Sequence, residues 1–331
     1  MAIINNKSSR EVVLKAVIKN FYELKNASKT LRTDRELVLT ALKSSGFALQ
    51  YASKELRADR EVVLTALKSS GFALQYASKE LRADREVVLT AVKFDIKRWN
   101  YQFGKVLKYA SVDLKADREI VLEAVKSYGL ALEYTSDLLK SDREIVLTAV
   151  KQNGCALKYA DKKLRSDRDV VLASVKSDGF SLVHADDRFR SDREIVLEAV
   201  KSDGYVFQSA SEAFRSDREV VLTTVKSNGQ MITMAEKSLQ TDREIVLEAV
   251  KSAPEVLEDV EDRFKSDREI VLAAVESEGS VLEYASRDLK ADRDVVLTAV
   301  KSNGWGLCYA SKELKNDAEL KEISIKTYRP V

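Results

Sequence analysis

An arginine followed by an acidic residue returns through this chain at a fixed interval. It stands at Arg10, Arg35, Arg60, Arg85, Arg118, Arg143, Arg168, Arg193, Arg218, Arg243, Arg268 and Arg293. Every interval is 25 residues except the one from Arg85 to Arg118, which is 33. A period of this length signals stacked repeats rather than one globular core. Twelve copies follow, then a half-copy from Asp317, with one insertion of eight residues within 94–104. Copies 33–57 and 58–82 differ only at Thr33/Ala58 and Leu37/Val62, the mark of an internal duplication.

Numbering each copy from its Asp (Asp59 is position 1), positions 4, 5, 6, 8 and 9 are apolar, as in Val62, Val63, Leu64, Ala66 and Leu67. This spacing predicts a helix with a wide apolar face. Asp59 is the expected N-cap, and Ser141 before Asp142 and Glu144 could instead close a capping box. Ten of the eleven glycines sit at position 13, which predicts a left-handed residue ending the helix. A second, shorter helix fits positions 14–19, with Ala73, Leu74 and Ala77 inward, then a cap at position 20 and a tight turn with Leu or Phe at 23.

Such a unit cannot bury its apolar face alone, so copies must stack. The expected fold is all-α, an α-solenoid of about twelve 25-residue helix-turn-helix units forming a single domain, 1–331. Residues 9–33 form the expected N-terminal cap: Glu23 and Asn26 are polar where other copies have Ala or Val and Tyr, so positions 15 and 18 should touch the preceding copy. Residues 317–331 form the expected C-terminal cap, with Lys321 and Glu322 at positions otherwise apolar.

Recurring charge is the first candidate for function. Arg at position 2 sits between acids at 1 and 3, and position 24 is basic in eleven copies of twelve. A basic ladder for phosphates is one reading. Alternating signs favour another, in which acids and lysines follow the helix dipole and arginines pair with adjacent copies. Position 18 is Tyr at 51, 76, 109, 134, 159, 284 and 309, read as an aromatic ladder between copies rather than a platform for bases. His184, the single histidine, occupies that same position and has no nucleophile or acid arranged around it, so a packed imidazole is expected.

Cys155 and Cys308 offer no disulfide or metal spacing. There is no P-loop, dinucleotide fingerprint or nucleophile elbow. The N-terminus lacks an apolar leader and no apolar run reaches the ~18 residues of a membrane span. A cytoplasmic, monomeric protein without cofactor, metal or catalytic residues is expected. Two places break the pattern. The insertion gathers Lys97, Arg98, Trp99, Tyr101 and Phe103, an aromatic-plus-Arg composition suited to partner binding. Copy ten has Pro254 for Gly and an acidic run from Glu255 to Asp262. Charge is also graded: residues 1–116 carry 22 Lys and Arg against 12 acids, and 242–331 carry 14 against 20.

The unit D-R-E-I-V-L-T-A-V-K-x-x-G-x-x-L-x-Y-A-x-x-x-L, as it stands in 142–164, resembles the tandem repeats of the DUF4116 family, and the resemblance covers almost the whole chain. It implies no catalytic residue to carry over. The expected function is a non-enzymatic scaffold binding a protein or peptide along an extended face, because positions 14 and 17 vary on a constant frame. A nucleic-acid reader using the basic N-terminal third is the alternative, weakened by the near-neutral net charge of +2.

Overall fold

The computed structural model describes residues 8–95 and 103–328. The chain divides into two compact units, Met1–Ser177 and Asp178–Val331, each an α-solenoid of stacked repeats. Among the described residues there is no β-strand. The early part of the first unit supplies the type copy. The Asp59 carboxylate accepts the amides of Glu61 and Val62, both at 3.0 Å, and so caps the ten-residue helix Arg60–Ser69. The backbone then turns extended at Ser70 and re-enters as a 3-10 helix, Gly71–Tyr76. A last short turn, Leu81–Ala83, leads to the next cap at Asp84.

Position 12 supplies the cap of the 3-10 helix in many copies. Asn153 accepts from the Cys155 amide at 3.0 Å, and Asp203 from the Tyr205 amide at 2.9 Å. The short polar side chains there are therefore N-caps of the second element rather than loop filler. The second helix is 3-10 rather than α, which suits its six-residue length.

Within each unit the core repeats with the sequence. Val62, Val63, Ala66 and Leu67 from the first helix, and Ala73, Leu74, Ala77 and Leu81 from the rest of the copy, are all buried. Leu64 at position 6 is only half-buried, so the apolar face is narrower than its sequence suggests. The first helix of one copy packs on that of the next: Arg35–Ser44 on Arg60–Ser69, and Arg193–Ser202 on Arg218–Ser227. At the polar ends, Asn26, Lys321 and Glu322 are exposed, while Glu23 at position 15 is half-buried.

The glycines overturn one expectation. None of the described glycines has a positive φ. Position 13 is glycine because two copies touch there through their backbones. A Cβ on Gly46 would lie 2.4 Å from the Ala66 carbonyl oxygen, and one on Gly279 2.0 Å from that of Ala299. The glycine is a close-approach residue at the joint between copies, and position 8 is kept small for the same reason. Its amide is also used across the joint. Gly46 donates to Ser69 Oγ at 3.0 Å, Gly179 to Ser202 at 3.1 Å and Gly204 to Ser227 at 3.0 Å.

The insertion leaves the stack intact on both sides. The fourth copy's first helix runs one residue longer, Arg85–Asp95, and the backbone resumes as a 3-10 helix, Phe103–Tyr109. Arg85 still reaches Asp117 Oδ2, at 2.7 Å, across the longer interval.

Candidate functional site

Two edges of the repeat carry the side chains that sequence singled out. On the first, within each unit, position-2 arginines bridge two carboxylates of the following copy. Arg193 reaches Asp217 at 2.7 Å and Glu219 at 2.6 Å, and Arg243 reaches Asp267 at 2.7 Å and Glu269 at 2.6 Å. The same double pair runs through the first unit from Arg10 (Asp34 at 2.5 Å, Glu36 at 2.6 Å) to Arg143 (Asp167 at 3.1 Å, Asp169 at 2.7 Å). The Arg243 guanidinium holds the Asp267 carboxyl below the usual carboxylate range, against the opposing effect of burial. The position-1 Asp of each pair also caps a helix and the position-3 acid lies in its first turn, so this column is neutralised from within. It is structural, as the alternating signs suggested, and has no free guanidinium row for phosphates.

On the second edge lie positions 14, 17, 18 and 24. The tyrosines at 18 are half-buried and lean on position 14 of the preceding copy: Tyr51 on Tyr22 (6.3 Å between ring centroids), Tyr76 on Phe47 (6.5 Å) and Tyr109 edge-on to Phe72 (5.3 Å). Further along, the hydroxyl finds a carboxylate at position 17 of the preceding copy, with Tyr159 donating to Glu133 at 3.3 Å. The same pairing with Glu258 pushes the Tyr284 phenol up. The expected aromatic ladder between copies is therefore present, and the rings are largely occupied with one another. His184 is half-buried at the same position.

Position 14 is where the edge opens to solvent. Tyr22, Phe180, Tyr205 and Trp305 are 55%, 49%, 54% and 37% exposed. Trp305 is oriented by donating Nε1–H to the Tyr309 hydroxyl at 3.1 Å, with the Tyr328 ring 5.8 Å away. Exposed aromatics of this size are the usual anchors of protein interfaces. Sequence reading noted the variability of position 14 but not these residues. The available signal was an aromatic placed just before the buried pair at 15 and 16.

Of the insertion residues, Lys97, Arg98, Trp99 and Tyr101 lie outside the described residues, and Phe103 opens the 3-10 helix Phe103–Tyr109. The acidic run of copy ten is exposed and partly paired: Gln230 donates to Glu255 at 2.7 Å, and Glu261 meets Arg263 at 3.1 Å. In the second unit a cavity of about 50 Å³ lies among Ile232, Lys237, Gln240, Val256 and Glu261. That is room for a few waters rather than a substrate. Among the described residues, no helix is long and apolar enough to cross a membrane. No group of three His, Cys, Asp or Glu is placed to hold a metal ion among them either.

Short helical copies, a backbone joint at position 13 and a carboxylate–arginine column between copies define a helical-repeat protein. The chain belongs to the family described as "Domain of unknown function (DUF4116)", which it matches at residues 9–57, 59–115, 96–140, 117–165, 167–215, 192–240, 217–265, 242–290 and 292–329. Most matches span about two of the 25-residue copies. No curated protein matches the chain.

Proposed function

We propose that the chain is a non-enzymatic scaffold that holds a protein or peptide partner along the edge built from positions 14, 17 and 18. One observation carries the reading. The packing residues and the arginine column barely change from copy to copy, while position 14 runs through Phe72, Cys155, Tyr205, Glu255 and Trp305. A frame that holds its geometry constant while varying its exposed edge is suited to recognition, since repeats of this kind present extended surfaces. The exposed rings at Tyr205 and Trp305 supply anchors.

Photo-crosslinking from inside the native cell tests this. A crosslinking residue at Tyr205 or Trp305 should capture a discrete protein, and one at Glu219, on the opposite column, should not. Equal capture from both edges would remove the edge from the proposal. Capture of nucleic acid in place of protein would favour a nucleic-acid reader using the basic N-terminal third.

A further inference from the structure

Position 24 is basic in every copy of the first unit: Arg32, Arg57, Arg82, Lys115, Lys140 and Arg165. A main-chain ladder sets these residues in a row. The position-20 amide of each copy donates to the position-24 carbonyl of the copy before: Ser53 to Arg32 at 3.0 Å, Ser78 to Arg57 at 2.9 Å, Ser111 to Arg82 at 2.9 Å, Ser136 to Lys115 at 2.9 Å and Asp161 to Lys140 at 3.0 Å. The row therefore continues past the insertion without a gap.

The cations of this row are not neutralised as the position-2 arginines are. All six side chains are half-buried. The Nε of Arg32, Arg57, Arg82 and Arg165 is buried and has no acceptor among the described residues. Lys140 meets only the fully exposed Asp137, at 3.2 Å. The neighbouring acids Glu55 and Glu80 are turned back first on their own amides and on Ser53 and Ser78, and the charges of Arg57 and Arg82 act on them only as a last, smaller cause in holding both below the usual range. Burial first, and then Arg82 and Lys108, push the Lys115 ammonium down, so the row is crowded with like charge. In the second unit Arg190 has the same buried Nε, but its outer nitrogen pairs with Asp187 at 3.1 Å, and copies after it also find partners within the molecule. There Arg215 pairs with Glu212 at 3.1 Å, while Lys265 and Lys290 cap the carbonyls of Glu258 and Glu283 at 2.7 and 2.6 Å.

The buried Nε atoms are closed to a ligand. The outer ends of these half-buried side chains lie on an open edge, with no ion pair at Arg32, Arg57, Arg82, Lys115 or Arg165 among the described residues, which suits them to an acid from outside. We propose that the position-24 row of the first unit is a docking strip for an extended acidic polypeptide segment. This rests on the scaffold reading and names its partner chemistry.

The step length favours a polypeptide. Neighbouring first helices pack directly, which sets the copies ~8–10 Å apart. A polyproline II backbone rises ~3.1 Å per residue with three residues per turn, so every third side chain returns to one face after ~9 Å. A carboxylate at every third residue meets successive cations, bidentate on the outer Nη pair of Arg32, Arg57 and Arg82 and as a point charge at Lys115 and Lys140. Single-stranded nucleic acid would need open ring faces for its bases. Past the exposed Tyr22, the rings of the early copies are engaged with one another instead, with Phe47 standing 6.1 Å from Phe72 and 6.5 Å from Tyr76.

The test is fluorescence anisotropy on the full chain. The labelled probe is a proline-rich peptide with glutamate at every third residue, compared with a block-glutamate isomer and a single-stranded oligonucleotide of equal charge. The regularly spaced peptide should bind best. Arg57→Gln with Arg82→Gln should weaken it about tenfold, and Lys at both positions should restore much of the loss. Arg35→Gln with Arg60→Gln removes the same charge from the paired column and should change binding less than about twofold. Circular dichroism verifies that each variant is folded. Equal loss from both pairs, no peptide binding, or preference for the block isomer overturns the strip. If the strip fails while crosslinking at Trp305 still captures a protein, the scaffold reading stands without it. Preference for the oligonucleotide, with nucleic acid in the crosslinks, overturns both.

Discussion

Two columns of basic residues run through the first unit with the same 25-residue period, and they differ in where their partners are. Arg60 at position 2 meets Asp84 at 3.5 Å and also Glu86, both in the following copy. Arg57, three residues earlier at position 24, has a buried Nε with no acceptor among the described residues. Recurrence alone therefore does not separate a structural residue from a candidate binding one. What separates them is whether the recurring group is satisfied inside the molecule. Position 13 belongs with the first column, because its glycine is required by a neighbouring backbone.

The largest effect is expected at that glycine. Gly279→Ala places a methyl 2.0 Å from the Ala299 carbonyl oxygen and 2.9 Å from the Asn303 amide nitrogen, both backbone atoms that cannot rotate away. A loss of about 3 kcal/mol or more is expected, at the upper end of overpacking costs, read from urea denaturation. Gly279→Asn should be at least as damaging, although asparagine is tolerated at left-handed helix ends. An Asn variant that melts like the parent would break the assignment of this residue to the packed joint.

Next comes the acid that serves two partners. Asp242 accepts the amides of Glu244 at 3.0 Å and Ile245 at 3.2 Å, and also receives Arg218 at 2.9 Å from the preceding copy. Asp242→Ala removes the cap and the ion pair together and should lower stability by about 1–2 kcal/mol. Asp242→Asn keeps a cap acceptor but loses the charge, and should cost less. The gap between the two variants measures how much of the column is capping and how much is charge.

Acid sharpens the same point. Arg193, Arg218 and Arg243 hold the Asp217, Asp242 and Asp267 carboxyls below their ordinary values, with burial opposing. A carboxyl whose folded pKa is depressed contributes stability above its unfolded value of about 3.9 that is lost as pH falls through the folded value. Urea midpoints should be level from neutral pH to about 5 and fall below about 4. Arg243→Gln should cost about 0.5–1 kcal/mol at neutral pH and make that fall shallower, since these pairs are half-exposed. An unchanged acid profile would mean that the column adds nothing to the joint.

The repeat, its helix starts and its core were legible from spacing, because caps and apolar periodicity are local consequences of residue type. The pairing of Arg60 with Asp84 and Glu86 was half legible: alternating signs suggested it, but only the stack brings residues 24 and 26 positions apart together. Gly279 was misread because glycine has two uses, left-handed backbone and close approach, and sequence does not distinguish them. The exposure of Trp305 and the unpartnered Nε of Arg57 were not legible at all. Both depend on what the neighbouring copy covers and leaves uncovered, which a single copy's sequence does not contain.

The smallest effect should be found at position 24 of the first unit, and its sign is the informative part. Arg57→Met keeps most of the aliphatic stem that lies against the stack and deletes the buried Nε that has no acceptor. Removing an unsatisfied donor removes its desolvation penalty, so stability should be unchanged or rise by up to about 1 kcal/mol. Arg60→Met changes net charge equally but takes a guanidinium from two carboxylates, so stability should fall by about 0.5–1 kcal/mol. Chemical denaturation of the two variants side by side, with the acidic probe absent, reads the difference directly. A substitution that leaves the fold as stable while weakening the probe would mark Arg57 as a residue kept for something outside the stack. If Arg57→Met is as destabilising as Arg60→Met, the two columns are alike after all, and position 24 is a packing residue.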